Sequence, residues 1–151
     1  MRKTEGTATL RHWVLERLTE FGRKPALVWN DQEHCYHDLL DAVARSCRRL
    51  AERRIAPGDC VVLRGGYSPG VLSELLALIL NRNVIVPVGP SRHEIDGKLL
   101  ELTRASAVFS FDDDTCSIRS LDAAGDDHPL VRRLRDAGAA GLVLFTSGST
   151  G

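Results

Sequence analysis

The spacing of apolar residues predicts a helix at the start of the chain. Apolar positions recur there at helical intervals, at Leu10, Trp13, Val14, Leu18 and Phe21. Thr9 precedes them and can act as an N-cap, so the helix is predicted to run from Thr9 to about Phe21 and to end at Gly22. Residues 1–8 are predicted to be a disordered N-terminus. Trp13 is expected to pack in the core, as aromatic residues at helical spacing usually do.

Two short apolar stretches and a longer amphipathic stretch come next. The strands are predicted at Ala26–Trp29 and around Cys35-Tyr36, and the turn-forming sequence Asn30-Asp31-Gln32 between them indicates a hairpin. From about Asp38 to Arg53, apolar and charged residues fall on opposite sides of a helical wheel, which predicts a second helix. Pro57-Gly58-Asp59 marks the turn after it.

From Cys60 the pattern becomes an alternation of strands and helices. The predicted elements are Cys60–Leu63, Pro69–Leu80, Val84–Val86, a helix near Ile95–Thr103 and Ala107–Phe111. Such alternation with short loops predicts an α/β fold whose sheet is largely parallel, with crossover helices. Ser68 before Pro69 is a strong helix start, because serine can cap and proline fills the first helical position. Asn83 is expected to end that helix in the left-handed conformation.

The last part of the chain is predicted to form a strand, a short helix and a final strand, at Thr115–Leu121, Pro129–Asp136 and Gly141–Phe145. Val143–Phe145 shows no polar alternation, which suits a strand buried on both faces. The residues that follow are only hydroxyl residues and glycines: Thr146, Ser147, Gly148, Ser149, Thr150 and Gly151. Backbone N–H groups and hydroxyls in such a loop can hold phosphate oxygens. The alternative is a flexible serine- and glycine-rich tail.

Composition narrows the possible partners. Apolar residues make up 43% of the chain and charged residues 26%, with 20 basic and 20 acidic residues. This balance argues against nucleic acid or an acidic membrane surface as a partner. Four arginines at the end of the second helix are interpreted as solvent-exposed residues of the helix terminus: Arg48, Arg49, Arg53 and Arg54. No apolar run approaches ~18 residues and no signal sequence follows Met1, so a cytoplasmic protein is expected.

Neither metal ligation nor thiol chemistry is predicted. The run Asp112-Asp113-Asp114 is interpreted as a turn, with a Mg²⁺ site as the alternative. His34 and His37 flank Cys35, and ordinary packing or capping is preferred there over metal binding. The four cysteines form no C-x-x-C pair and are expected to be reduced core thiols: Cys35, Cys47, Cys60 and Cys116.

Other phosphate-binding and catalytic motifs do not fit. The segment Arg64–Gly70 joins a strand to a helix but lacks the G-x-G-x-x-G spacing of a dinucleotide loop. The sequence Gly148–Gly151 lacks the lysine of a Walker loop. Ser147 and Ser149 do not have the G-x-S-x-G spacing of a hydrolase nucleophile elbow.

Phe145–Gly151 closely resembles the phosphate loop of the adenylate-forming superfamily, which includes acyl-CoA synthetases, luciferases and nonribosomal-peptide adenylation domains. The family loop reads Tyr/Phe-Thr-Ser-Gly-Ser/Thr-Thr-Gly and continues through Pro-Lys-Gly, and only its first part is present here. The resemblance extends from about Leu10 to Gly151 through further landmarks, namely Ala26-Leu27-Val28, Tyr36, Pro57-Gly58-Asp59 and Val86-Pro87 with Pro90. The chain departs from the family pattern at Cys35, Asn83, Gly89 and Gly65-Gly66-Tyr67-Ser68.

The resemblance implies that residues 9–151 are part of an AMP-binding domain, the N-terminal subdomain of the fold, truncated at its phosphate loop. It implies a ligase that uses ATP and Mg²⁺ to convert a carboxylic acid to an acyl-adenylate with release of pyrophosphate. Transfer to the thiol of CoA or a carrier protein would follow. Residues Thr146–Gly151 would bind the ATP phosphates, and the catalytic residues would lie in a missing C-terminal portion. The chain alone is therefore expected to be inactive. The alternative is a standalone binding or assembly module.

Overall fold

A computed structural model describes residues 5–90, 97–122 and 128–145, with side chains from Trp13 onward. The helices and strands alternate over most of this length, as the hydrophobic pattern predicts. In chain order they are α1 (Glu5–Phe21), β1 (Pro25–Trp29), β2 (Gln32–Cys35), α2 (Tyr36–Glu52), β3 (Cys60–Arg64), α3 (Pro69–Leu80), β4 (Val84–Val88), α4 (Gly97–Thr103), β5 (Ala107–Asp112), β6 (Thr115–Ser120), α5 (Pro129–Asp136) and β7 (Gly141–Leu142).

A five-stranded sheet forms the centre of the fold, with strand order β6-β5-β3-β4-β7. Strand β3 pairs in parallel with both β4 and β5, and β4 pairs in parallel with β7. Among the strands of this sheet that the structure describes, only β6 runs antiparallel, because it forms a hairpin with β5. The prediction of a largely parallel α/β sheet with crossover helices is confirmed.

Helices cover both faces of this sheet, which explains the uninterrupted apolar sequence of its central strands. Val61 and Leu63 of β3 pack with residues of α2 and α3, including Leu50 and Leu78. Val62 faces the other way and belongs to the cluster that includes residues of α4 and α5. Helix α1 packs against α2 and α3, where its Leu18 contacts their side chains.

The N-terminal elements follow the predicted order with shifted boundaries. Helix α1 begins at Glu5, so Thr9 lies inside the helix and is not its N-cap. The segment predicted to be disordered, residues 1–8, therefore overlaps α1, and residues 1–4 lie outside the described residues. Trp13 is 53% exposed, which corrects its assignment to the core. Gly22 has the positive φ of a helix terminator, as expected.

The predicted hairpin is confirmed, and its second strand leads directly into α2. Asn30 and Asp31 both have positive φ, the conformation that a two-residue hairpin turn requires. Helix α2 begins at Tyr36, two residues before the predicted start. Asp38 secures this start, because its carboxylate accepts hydrogen bonds from the backbone N–H of Cys35 at 3.1 Å and from its thiol at 3.0 Å. These bonds lower the pKa of Asp38, with the thiol contact contributing most.

The expectation for Asn83 is wrong, because the left-handed residue between α3 and β4 is Arg82, with φ of 62°. Asn83 is instead completely buried. Its side-chain amide donates to the carbonyl oxygens of Ala56 at 2.8 Å and Asp59 at 3.1 Å, and its Oδ1 accepts from Asn81 at 2.9 Å. Asn83 therefore joins the turn after α2 to the turn after α3.

Substitution by glycine distinguishes these two neighbouring positions. Asn83→Gly is expected to cost about 2 kcal/mol, because it removes the side-chain hydrogen bonds to the carbonyl oxygens of Ala56 and Asp59. Arg82→Gly is expected to be neutral or to stabilise by up to about 1 kcal/mol, since glycine adopts positive φ without a steric penalty. Urea denaturation of both variants measures the difference. Equal free energies of unfolding would contradict the role assigned to Asn83.

The later elements agree closely with the sequence pattern. Helices α3 and α5 have the predicted boundaries, and the Ser68 hydroxyl caps α3 by accepting from the backbone N–H of Val71 at 3.3 Å. Strand β4 continues to Val88, two residues beyond the predicted end. Strand β7 contains only Gly141 and Leu142 and is shorter than predicted.

Candidate functional site at the carboxyl edge of the sheet

The parallel strands bring several loops to one edge of the sheet. The loop Gly65–Ser68 follows β3, and Gly89 and Pro90 follow β4 at the same edge. Because β7 is parallel to β4, the chain after Leu142 leads to this edge as well. The predicted phosphate-binding residues follow Phe145 directly and lie outside the described residues; they are Thr146, Ser147, Gly148, Ser149, Thr150 and Gly151.

The strand that leads to the predicted loop lies at the border of the sheet. Val143 continues the pairing of β7 by donating its backbone N–H to the carbonyl oxygen of Ile85 at 2.8 Å. Leu142 is 56% exposed, Leu144 70% and Phe145 40%, so the expectation of a strand buried on both faces is wrong. The physical reason is position, because within the described part of the chain no strand pairs with the outer side of β7.

An apolar groove of about 720 Å³ lies beside this border strand. Helices α4 and α5 form its other walls, and its main lining residues are Leu102, Leu130, Val131, Leu134, Leu144 and Phe145. Four of these six are also among the large apolar residues that the structure leaves exposed, namely Leu102, Leu130, Leu144 and Phe145. The face of the sheet that carries α4 and α5 therefore has an open apolar surface next to the predicted phosphate loop.

A second cavity, of about 400 Å³, opens where the connections after β3 and β4 separate. Helix α3 packs on one face of the sheet and α4 on the other, so the two loops diverge and leave a crevice. Crevices of this kind at the carboxyl ends of strands are the usual ligand sites of open α/β sheets. Gly65 is required here, because a Cβ atom at this position would lie 2.5 Å from Cγ2 of Val71. Tyr67 stands on the rim and is 95% exposed.

The acidic turn between β5 and β6 fixes the start of α3 beside this crevice. The Ser68 hydroxyl donates to the carbonyl oxygen of Asp113 at 3.0 Å. The carboxylate of Asp114 accepts from the backbone N–H of Gly70 at 3.0 Å. The acidic run is thus a turn, as the sequence predicts, and it also supplies a cap for α3 from a distance of 44 residues along the chain.

A buried ion pair that the sequence interpretation missed joins α2 to α3. Glu74 is completely buried in α3, and its Oε2 accepts from Nη1 of Arg49 at 2.8 Å. Arg49 is therefore a structural partner of α3 and not part of a solvated helix end. An acidic residue within an otherwise apolar helix, at Glu74, is the sequence signal that could have revealed the pair. Burial raises the pKa of Glu74, and contacts with Ser46 and Arg49 oppose this shift.

This raised pKa predicts a specific pH dependence of stability. Native Glu74 binds its proton more tightly than unfolded Glu74, so its contribution to stability falls as pH rises from its ordinary pKa of 4.5 through its raised folded pKa. Glu74→Gln removes this titration while retaining a hydrogen-bond acceptor. We expect the variant to gain stability relative to the wild type as pH rises through this window. Parallel pH profiles in urea denaturation would contradict this.

The structure also describes the histidines, cysteines and acidic residues that were considered as possible metal ligands or reactive thiols. Among the described residues, no group of three His, Cys, Asp or Glu side chains could hold a metal ion. The thiol of Cys35 donates to the carboxylate of Asp38, and Nδ1 of His37 lies 3.7 Å from Oδ2 of Asp41. All four cysteines are free, but only Cys60 is fully buried. In the part of the chain that the structure describes, no helix is both long and apolar enough to cross a membrane.

Comparisons with known proteins show the fold. No family model matches the sequence, and no curated protein matches it. The N-terminal subdomain of Klebsiella oxytoca NpsA, in complex with 3-hydroxyanthranilyl-AMSN, is similar in structure with a TM-score of 0.64 and 22% identity. The similarity covers 91% of this chain and 37% of that one. The same subdomain in complex with 3-hydroxybenzoyl-AMSN gives a TM-score of 0.64 at 24% identity, over 91% of this chain and 38% of that one.

A second enzyme shares the fold. O-succinylbenzoate coenzyme A synthetase (MenE) from Bacillus subtilis, in complex with ATP and magnesium ion, is similar with a TM-score of 0.58 and 17% identity. That similarity covers 66% of this chain and 28% of the synthetase. The chain thus has the mixed α/β fold of the N-terminal subdomain of adenylate-forming enzymes, and it spans less than two-fifths of the length of these structures.

Proposed function

We propose that this chain is the N-terminal part of an ATP-dependent ligase that activates a carboxylic acid as an acyl-adenylate and releases pyrophosphate. The observation that carries the proposal is the sequence Phe145–Gly151, which follows β7 in a chain with the fold of adenylating enzymes. Strand β7 is parallel to the central strands, so it leads to the carboxyl edge, where open α/β sheets bind ligands.

The proposed role of the loop Thr146–Gly151 is to bind and position phosphate groups. Its backbone N–H groups and four hydroxyls would donate to the β- and γ-phosphate oxygens and stabilise the charge that develops on the leaving pyrophosphate. This role is electrostatic and needs no covalent bond to the protein. Mg²⁺ bound with ATP would supply further neutralisation of the phosphate charge. Among the described residues, no group of three His, Cys, Asp or Glu side chains could hold this ion.

A thiol is the proposed acceptor of the activated acyl group. Among the similar structures, NpsA-ThdA is an artificially fused adenylation-PCP di-domain and MenE is a coenzyme A synthetase. These relatives support a carrier-protein thiol or the thiol of CoA as the partner of this chain. Two cysteines of the chain itself are unsuited to this role, because Cys60 is fully buried and burial raises the pKa of the Cys116 thiol. We place the reaction in the cytoplasm.

Carboxylate-dependent exchange of labelled pyrophosphate into ATP tests the proposal. The protein would be produced in two forms, as the 151-residue chain and with the coding sequence that follows Gly151 in the gene, and assayed over a panel of fatty, aryl and amino acids. We expect exchange only in the longer form, because the shorter one has no lysine after its loop. Exchange above background by the 151-residue chain, or none by the longer form with any acid, would contradict the proposal.

A further inference from the structure

The crevice of about 400 Å³ at the carboxyl ends of β3 and β4 has no role in the reaction proposed above. The connections after these two strands contribute to its lining, with Gly65–Tyr67 from one and Gly89-Pro90 from the other. Both connections contain departures from the adenylate-forming pattern, at Gly65-Gly66-Tyr67-Ser68 and at Gly89. The crevice therefore lies where this chain differs from that pattern.

The walls of this crevice are apolar. Residues of β3, α3 and β4 line it, and they include Leu63, Val71, Leu75 and Pro87. No charged side chain of the described residues is part of this lining. A charged ligand would lose its hydration here without gaining a counter-charge, whereas an apolar ligand would release water from both surfaces. The walls therefore favour a neutral, apolar ligand.

Glycine leaves space open on the β4 side of the crevice. Gly89 lines the crevice, and a Cβ atom on it would meet no other atom within 4 Å. Its backbone lies outside the left-handed region, so a larger residue could stand there without backbone strain. The volume that such a side chain would occupy is available to a ligand in this chain.

The rim of the crevice carries an aromatic ring and backbone donors. Tyr67 is 95% exposed, the largest exposed fraction among the large apolar side chains that the structure describes. Tyrosine is common at binding surfaces, because its ring is apolar and its hydroxyl is polar. Within the described residues, the backbone N–H groups of Gly66 and Tyr67 donate no hydrogen bond. An apolar pocket with a few polar groups at its edge is the usual form of a small-molecule site.

We propose that this crevice binds a neutral ligand of one or two aromatic rings that carries a hydrogen-bond acceptor, such as a ketone oxygen. An apolar cavity of about 150 Å³ holds one benzene molecule, so a volume of about 400 Å³ has room for two fused rings. The rings would pack on the apolar walls, Tyr67 would contact them from the rim, and a backbone N–H group would donate to the acceptor. This inference does not depend on acyl-adenylate chemistry.

Calorimetric titration of the 151-residue chain with acetylnaphthalene, a neutral ketone with two rings, tests the site. We expect saturable binding to the wild type and at least ~10-fold weaker binding to Gly89→Leu, because the leucine side chain would fill the crevice. Gly97→Leu is the matched control, since Gly97 begins α4 and a Cβ atom there also meets nothing within 4 Å. Its affinity should stay within about twofold of the wild type.

The unfolding temperature of Gly89→Leu should stay within about 2 °C of the wild type, which separates lost binding from lost folding. No saturable binding to the wild type, or equal affinities of the wild type and Gly89→Leu, would overturn the proposal.

Substitution of Tyr67 tests the aromatic contact without changing the buried part of the fold. Tyr67→Ala is expected to bind acetylnaphthalene about 3- to 10-fold more weakly, and Tyr67→Phe should stay within about twofold of the wild type. Acetyldecalin, the saturated analogue, should bind the wild type and Tyr67→Ala with affinities within about twofold of each other. An unchanged affinity of Tyr67→Ala for acetylnaphthalene would contradict the aromatic class of the ligand.

A charged analogue and a variant of the other apolar surface test the alternatives. Naphthoate should bind at least ~10-fold more weakly than acetylnaphthalene, and equal or tighter binding would overturn the neutral class of ligand. Leu130→Lys places a charge in the apolar groove beside β7, so it should leave the affinity for acetylnaphthalene unchanged. Binding that is lost in Leu130→Lys and retained in Gly89→Leu would place the ligand in that groove and overturn the proposal. None of these titrations requires catalysis, so their outcome is separate from that of the exchange assay.

Discussion

Simultaneous replacement of Thr146, Ser147 and Thr150 by alanine is expected to lower carboxylate-dependent pyrophosphate exchange by at least ~10²-fold in the protein that includes the sequence after Gly151. The physical reason is that the three hydroxyls are proposed donors to the phosphate oxygens, and their contribution is largest when charge develops on the leaving group. The measurement is the exchange rate at saturating ATP with the acid that gives the highest wild-type rate.

A matched variant separates this effect from a general loss of hydroxyl groups. Thr115, Ser117 and Ser120 are exposed hydroxyl residues on β6, the border strand farthest from β7. Their simultaneous replacement by alanine should leave the exchange rate within about twofold of the wild type, since surface substitutions rarely change stability by more than about 0.5 kcal/mol. Equal losses in the two triple variants would contradict the assignment of Thr146–Gly151 as the phosphate site.

The second large effect is on stability, because Arg49→Met is expected to destabilise the chain by about 2–3 kcal/mol. The substitution leaves the carboxylate of Glu74 completely buried without its cation. The expected cost lies at or below the lower end of the range for fully buried pairs, because the side chain of Arg49 is 33% exposed and water partly screens the pair.

Urea denaturation at neutral pH measures this cost. Arg45→Met changes the same residue type one helical turn earlier, at an exposed position, and should alter the free energy of unfolding by less than about 0.5 kcal/mol. If Arg49→Met were as stable as Arg45→Met, the ion pair between α2 and α3 would not contribute to the fold as described.

Most of the fold could be predicted from the sequence, because its signals are local. Helix α3 has a serine cap, a proline at its first position and a continuous apolar sequence, and its boundaries are as predicted. The apolar strands predicted at Cys60–Leu63 and Val84–Val86, separated by that helix, were sufficient to predict the parallel pairing. The predicted start of α1 was wrong, since the helix begins at Glu5, four residues before the predicted N-cap Thr9.

The errors concern interactions between residues that are distant in sequence. Asn83 was interpreted from its local position after a helix, whereas its side chain bonds to carbonyl oxygens 24 and 27 residues away. The pairing of Arg49 with Glu74 and the capping of α3 by Asp114 likewise span 25 and 44 residues. Periodicity and propensity contain no information on such contacts, because they depend on how separate elements pack.

The candidate site likewise has one part that the sequence predicts and another that only the structure shows. The phosphate-binding role of Thr146–Gly151 comes from resemblance of the motif to a family and stays a prediction, since these residues lie outside the described ones. The structure adds the edge of the sheet to which β7 leads.

Transfer of ¹⁸O from a labelled carboxylic acid tests the central claim of acyl-adenylate formation most directly. The protein with the sequence after Gly151 would be incubated with ATP, the labelled acid that supports exchange, and hydroxylamine or a thiol as acceptor. Attack of the carboxylate oxygen on the α-phosphorus and later cleavage of the acyl C–O bond predict one ¹⁸O atom in the AMP. Label in inorganic phosphate, or AMP formed without label, would contradict the account.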